Sequence, residues 1–378
     1  MSTEISIGST DSDRPSADLK TSGKPERIAE LDVLRGIAAV WVMLFHYNVR
    51  WFEQPGPPQS PFGEYAVHLF FMISGFVIFM TLRNTKTGAD FVVSRFSRLY
   101  PAYWAAVLVT AAVMAFVPPF AKNAVTFPQV AANLTMLQQW LRVKEVDGVY
   151  WTLAIELAFY GWMFLIFKIR ALNRIELVGT IWIFIELFAR AWERMQLAAF
   201  KLDPEIIPSI ISRTLILEHA HLFVAGMVFF RIRTEGSSIG RAALLGLCLF
   251  TQFFIHGPLG TPFIGIFFGI FLLVAKRQLA WLAFRPLVFL GTISYTLFLV
   301  HQNIGYAVMR QLVEQPRIVQ VSAAVAVAIA LATLLTFFVE KPSLRFLRRR
   351  YAARIRSIPA SSSKDSETNR GKIGTGKE

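Results

Sequence analysis

The sequence has a single cysteine among 378 residues, and only 17% of its positions are charged. One cysteine, Cys248, excludes an intramolecular disulfide. So little charge, set against 54% apolar residues and 34 Phe, leaves too little polar surface to cover a soluble fold of this size. Residues 1 to 30 lack an apolar core and are rich in Ser, Thr and charge, so they do not read as a secretory signal peptide. No obvious internal repeat relates the two halves. The tail Gly371-Lys372-Ile373-Gly374-Thr375-Gly376-Lys377-Glu378 imitates a phosphate loop, but it closes with Glu where Ser or Thr would meet magnesium.

What the chain does have is about ten apolar stretches near the ~20-residue length that spans a bilayer. They lie at Val33 to Phe52, Tyr65 to Leu82, Tyr100 to Val117, Tyr150 to Phe167 and Ile175 to Trp192. The remainder are Ile207 to Phe230, Ala242 to His256, Thr261 to Ala275, Leu287 to Met309 and Val319 to Val339. The expected fold is an all-α integral membrane protein, a bundle of about ten transmembrane helices. Two longer connections, Pro118 to Val149 and Glu193 to Ile206, are too small for a separate domain, the first with room for a short helix at Ala131 to Leu141.

Basic residues recur at every second gap, beginning with Arg14, Lys20, Lys24 and Arg27, then Arg83, Lys86, Arg95 and Arg98, and ending with Arg345 to Arg356. The gap from Gln54 to Glu64 has no cation. That alternation predicts that both termini are cytoplasmic. It also absorbs the net charge of +14, directing it to lipid headgroups rather than to nucleic acid. The expected organisation is a polar, disordered tail over 1–30, a membrane domain over 31–342, and a basic then disordered tail over 343–378.

Ionisable groups at membrane depth are costly and mark function. Arg35 and His46 sit on the first helix, roughly 16 Å apart along its axis. Helix direction places His46, Glu156 and His301 at one level near the outer side. Arg35, with Asp32 three residues before it, falls at the inner level with Arg95 and Arg98, whose i,i+3 spacing suits an anion. Other ionisable residues read as structural. Glu186 and Arg190 have the spacing of a helix pair, and Glu340 before Pro342 is expected to end the last helix. His219 and His221, with Glu218, point to different faces and give no metal signature, so no metal is expected.

These elements resemble the membrane-bound acyltransferase 3 family. The likeness covers about residues 27 to 345 and rests on Leu31 to Ala39 with His46, Phe70-Phe71-Met72-Ile73-Ser74-Gly75-Phe76, and Arg95-Phe96-Ser97-Arg98-Leu99-Tyr100-Pro101. It continues through Trp151 to Tyr160, where Thr152 replaces the usual Ser, Ser294 to His301, and Val339-Glu340-Lys341-Pro342. The resemblance implies a protein of the bacterial cytoplasmic membrane that moves an acyl group, usually acetyl, from cytoplasmic acyl-CoA to a hydroxyl acceptor. A glycan of the envelope or an exported polysaccharide is the favoured acceptor, a small metabolite the alternative.

On that reading Arg35, Arg95 and Arg98 meet the CoA phosphates, and His46 acts as general base with Glu156 orienting it and His301 beside it. An acyl-histidine relay is the competing route, and the sequence leaves both open. A transporter, which also needs buried Arg, His and Glu, is the rival of another class.

Overall fold

The computed structural model describes residues 28–52, 62–117, 125–200 and 209–356. The expectations for residues 1–27, for the end of the chain after Arg356 and for the cation-free gap at 53–61 lie outside these residues, whereas the basic start of the expected C-terminal tail is helical as far as Arg356. The described chain is helical throughout, without strands. It runs α1 (Ala29–Phe45), α2 (Phe62–Arg83), α3 (Gly88–Phe116), α4 (Phe127–Leu134), α5 (Trp151–Lys168), α6 (Ile175–Phe200) and α7 (Ser209–Leu215). It continues with α8 (Ala220–Glu235), α9 (Ile239–His256), α10 (Thr261–Ala275), α11 (Arg285–Gln311), α12 (Arg317–Leu334) and α13 (Lys341–Arg356).

Among the described residues, 7 helical segments are long and apolar enough to cross a membrane. Helices α1, α6 and α10 fall at the other predicted spans. Of these, α10 is apolar but only 15 residues long, and α6 carries Glu186 and Arg190 in its middle. Yet α6 has a lipid-type face, because Leu177, Ile181, Phe184 and Phe188 recur at helical spacing and are exposed while Glu186 on another face is fully buried.

Lipid is as apolar as leucine, so helices associate in a membrane through close packing rather than apolar burial. Two glycine contacts supply it. A Cβ on Gly36 of α1 would stand 2.6 Å from the Gly291 backbone nitrogen of α11, and one on Gly226 of α8 would run into the Met72 carbonyl of α2. These crossings bring α1 to α11 and α2 to α8.

Several connections depart from the sequence reading. The span expected at Ile207 to Phe230 breaks between α7 and α8, where Ile216 has φ 58°. The indoles of Trp162 and Trp182 donate to the Thr214 and Leu215 carbonyls, each at 2.7 Å, and so satisfy backbone groups that the break releases. The short helix expected at Ala131 to Leu141 forms earlier, as α4. Glu340 does not end its helix: a π-helical turn over Leu335–Glu340 joins α12 to α13, and the helix continues to Arg356.

Glu186 and Arg190 do not pair with each other. Glu186 accepts from the backbone N–H of His221 and lies 3.0 Å from its Nδ1, whereas Arg190 meets Glu193 and Glu218. Arg231 and Arg241 join Glu176 and Glu235 in a network that also reaches Arg83.

Candidate active site

Two polar centres lie inside the bundle. The first is built from α1 and α11. His46 opens a π-helical turn over His46–Arg50 at the end of α1, a wide turn of the kind that marks functional positions. The next residue, Tyr47, then faces α11 and donates its hydroxyl to the His301 carbonyl at 2.6 Å.

The two imidazoles meet directly, with His301 Nε2 3.1 Å from His46 Nδ1. Their tautomers follow from the surrounding acceptors. His301 Nδ1 lies 2.9 Å from the Phe298 carbonyl oxygen and 3.2 Å from that of Leu297. Carbonyls only accept, so Nδ1 carries the proton and neutral His301 offers a lone pair at Nε2. His46 Nδ1 faces that lone pair and, at 2.9 Å, the Val42 carbonyl. It must therefore be the protonated nitrogen, which leaves Nε2 as the basic atom of His46.

The second centre is a cavity of about 250 Å³ lined by Arg35, Arg95, Arg98, Glu156 and Arg348 together with aromatic rings. Arg98 forms an ion pair with Glu340 and lies 5.5 Å from the Tyr295 ring centre. Arg95 donates to Ser94 Oγ at 3.1 Å, but its buried Nε has no hydrogen-bonding partner among the described residues. A buried guanidinium donor in that state, beside three further arginines, fits an anionic ligand. Arg35 stands 4.0 Å from Asp32.

Glu156 belongs to this cavity. Its Oε1 accepts from Ser74 Oγ at 3.0 Å and from the Tyr160 hydroxyl at 2.6 Å. The structure thus brings His46 and His301 together, whereas Glu156, expected beside His46, meets Ser74 and Tyr160 instead. The two centres touch through Phe298, which lines the cavity and packs 5.8 Å from His301, ring centre to ring centre.

Sequence reasoning missed Arg348, Ser74, Tyr160 and Tyr295. Ser74 lay inside a quoted motif, and Tyr160 stands four residues after Glu156, one turn away. Arg348 was hidden in a run of basic residues, and only the return of α13 beside α3 brings it to the cavity.

Residues 28–337 match the family model described as an acyltransferase domain. The chain belongs to that acyltransferase family. The chain is 26% identical over 260 residues to the exopolysaccharide production protein ExoZ of Rhizobium meliloti, covering 63% of this chain and 75% of that one. It is 26% identical over 145 residues to acyltransferase MdmB of Streptomyces mycarofaciens, covering 35% and 38%. Protein 2 in the picA locus of Rhizobium radiobacter is 38% identical over 93 residues, covering 23% and 46%. The last two alignments thus span less than half of each relative. No solved structure matches the chain.

Next to the histidine pair, Asp147 ties the connection before α5 onto α11. One carboxylate oxygen accepts from the Val149 N–H at 3.3 Å and the other from the Asn303 N–H at 3.1 Å. Burial nevertheless pushes this carboxyl up to about 7 from an ordinary 3.8, against the lowering effect of the two backbone donors. The unfolded chain releases the proton near 3.8 and the folded chain holds it to about 7. This group's contribution to stability is therefore full below the lower value and is lost as pH rises through the upper one. In detergent, the unfolding midpoint of the native chain should fall from about pH 5 to about pH 8, and Asp147→Asn should flatten that slope. Equal slopes would remove Asp147 from the account.

Proposed function

We propose that the chain is a membrane O-acyltransferase that moves an acyl group, acetyl foremost, from cytoplasmic acyl-CoA to a hydroxyl of a cell-envelope or exported glycan. The setting is the bacterial cytoplasmic membrane. The observation that carries this reading is a histidine with its basic nitrogen fixed by a second histidine, one aromatic ring away from an arginine-lined cavity.

In the reaction, His46 Nε2 takes the acceptor's hydroxyl proton as the alkoxide oxygen attacks the thioester carbonyl. The new C–O bond forms, the C–S bond breaks, and the departing CoA thiolate receives the proton. The positive charge that His46 gains meanwhile is shared with His301 through the Nδ1–H to Nε2 hydrogen bond. Arg35, Arg95, Arg98 and Arg348 hold the donor's phosphates by charge-assisted hydrogen bonds. The likeness to a relative named for exopolysaccharide production supports a glycan acceptor. The cavity volume and the Phe298 ring favour a short acyl group.

The test is transfer of radiolabelled acetyl from acetyl-CoA to glycan by the purified chain in lipid vesicles. Covalent label in the glycan supports the reading, and uptake of label without transfer sinks it in favour of a transporter. In the same assay Arg95→Gln should raise the KM for acetyl-CoA about tenfold to a hundredfold, the worth of one charge-assisted hydrogen bond, with a smaller change in kcat. An unchanged KM would remove Arg95 from donor binding.

A further inference from the structure

A second group of histidines lies apart from the His46 pair and takes no part in the reaction described above. His68 is on α2, His219 precedes α8, and His256 is the last residue of α9. Each offers one ring nitrogen, and these three atoms lie within 4.8 Å of one another. His68 and His219 are buried, at 2% and 6% exposure. The Nδ1 atoms of both have no hydrogen-bonding partner among the described residues. An orphaned buried imidazole nitrogen is costly, and an ion that accepts its lone pair would remove that cost. Neutral imidazole is the commonest metal ligand among side chains.

We propose that His68, His219 and His256 form a binding site for a divalent transition-metal ion of the zinc class. Three imidazoles with a fourth position left to water is a donor set that zinc takes. Tetrahedral zinc with bonds of about 2.0–2.1 Å holds its ligand nitrogens roughly 3.3 Å apart, so modest ring rotations close the site. His256 is only half-buried and provides the way in. His221 is not a ligand, because both of its nitrogens are engaged, with Glu186 and Gln252 at 3.0 and 2.8 Å.

This set is invisible in the sequence. His219 stood beside His221 and Glu218 there, and the partners it meets come from two other helices. The bound ion would clamp the ends of α2, α8 and α9 together. It would do so against the cavity wall, since the Phe71 ring, which lines the cavity, lies 4.9 Å from that of His219.

The test uses the full chain, purified on an affinity tag free of histidine and titrated with Zn²⁺ and with Co²⁺ as a coloured substitute. The expected result is about one saturable equivalent per chain and an unfolding midpoint that rises with Zn²⁺. His68→Gln and His256→Gln should each weaken binding about tenfold or more and abolish the rise. If either variant fails to elute as a monodisperse species, X-ray absorption of the native protein with Zn²⁺ decides, with three imidazole ligands expected. Lack of saturable binding, binding unchanged in well-folded variants, or a metal shell without histidine would overturn the site and leave the cluster as a pocket for ordered water.

Discussion

Replacing His46 by glutamine lowers kcat for acyl transfer by about 10²–10⁴-fold, the usual worth of a positioned general base, and leaves the KM for the acyl donor nearly unchanged. The reason is local. The donor's anionic groups meet the arginines of the cavity, whereas His46 acts on the acceptor's proton. His301→Gln should cost less, because the base itself remains, but it removes the imidazole that, with the Val42 carbonyl, holds the His46 proton on Nδ1. Its signature is a displaced pH–rate profile, which loss of packing alone would not produce. Steady-state transfer of labelled acetyl over a range of pH checks both variants. A His46→Gln chain with native kcat would end the general-base reading.

The second large effect is on stability. Glu340→Ala leaves the Arg98 guanidinium without its carboxylate in a partly enclosed site, where the two side chains are only 27% and 5% exposed. Breaking a buried pair from one side costs about 3–5 kcal/mol, more than removing the pair outright. The single variant should therefore lose much of its thermal stability in detergent. The double variant Arg98→Met with Glu340→Leu should recover most of it while remaining a poor enzyme, because Arg98 also lines the donor cavity. This separates the two roles of Arg98: the pair as a clasp between α3 and the turn before α13, and the cation as a ligand for phosphate. If Glu340→Ala melts where the native chain does, the clasp contributes nothing measurable.

Much of the bundle was legible in advance because a bilayer imposes its length and apolarity on any helix that crosses it. Most of the predicted stretches fall on helices of the described chain, and counting residues along the first span and α11 brought His46 and His301 to a common level. Partner choice was not legible. Glu186 looked matched to Arg190 by spacing, but spacing along one helix says nothing about a carboxylate-seeking group on another, and the His221 backbone N–H and imidazole of α8 lay nearer.

Two π-helical turns carry the rest of the difference. At His46–Arg50 and at Leu335–Glu340 the helix widens by taking in extra residues, and the second turn runs straight on into α13. Every side chain beyond such a turn is rotated away from the direction that 3.6 residues per turn assigns to it. Tyr47 reaches His301 and Glu340 reaches Arg98 in just those turns. Composition and hydrophobic length, which act residue by residue, suffice to make this chain a bundle of apolar helices with arginine, histidine and carboxylate at depth. The pairing of His46 with His301, the place of Glu156 among the arginines, and the meeting of three distant histidines come from the folded bundle alone. Those contacts depend on how helices cross and where they widen, and both are set by packing between segments far apart in the chain.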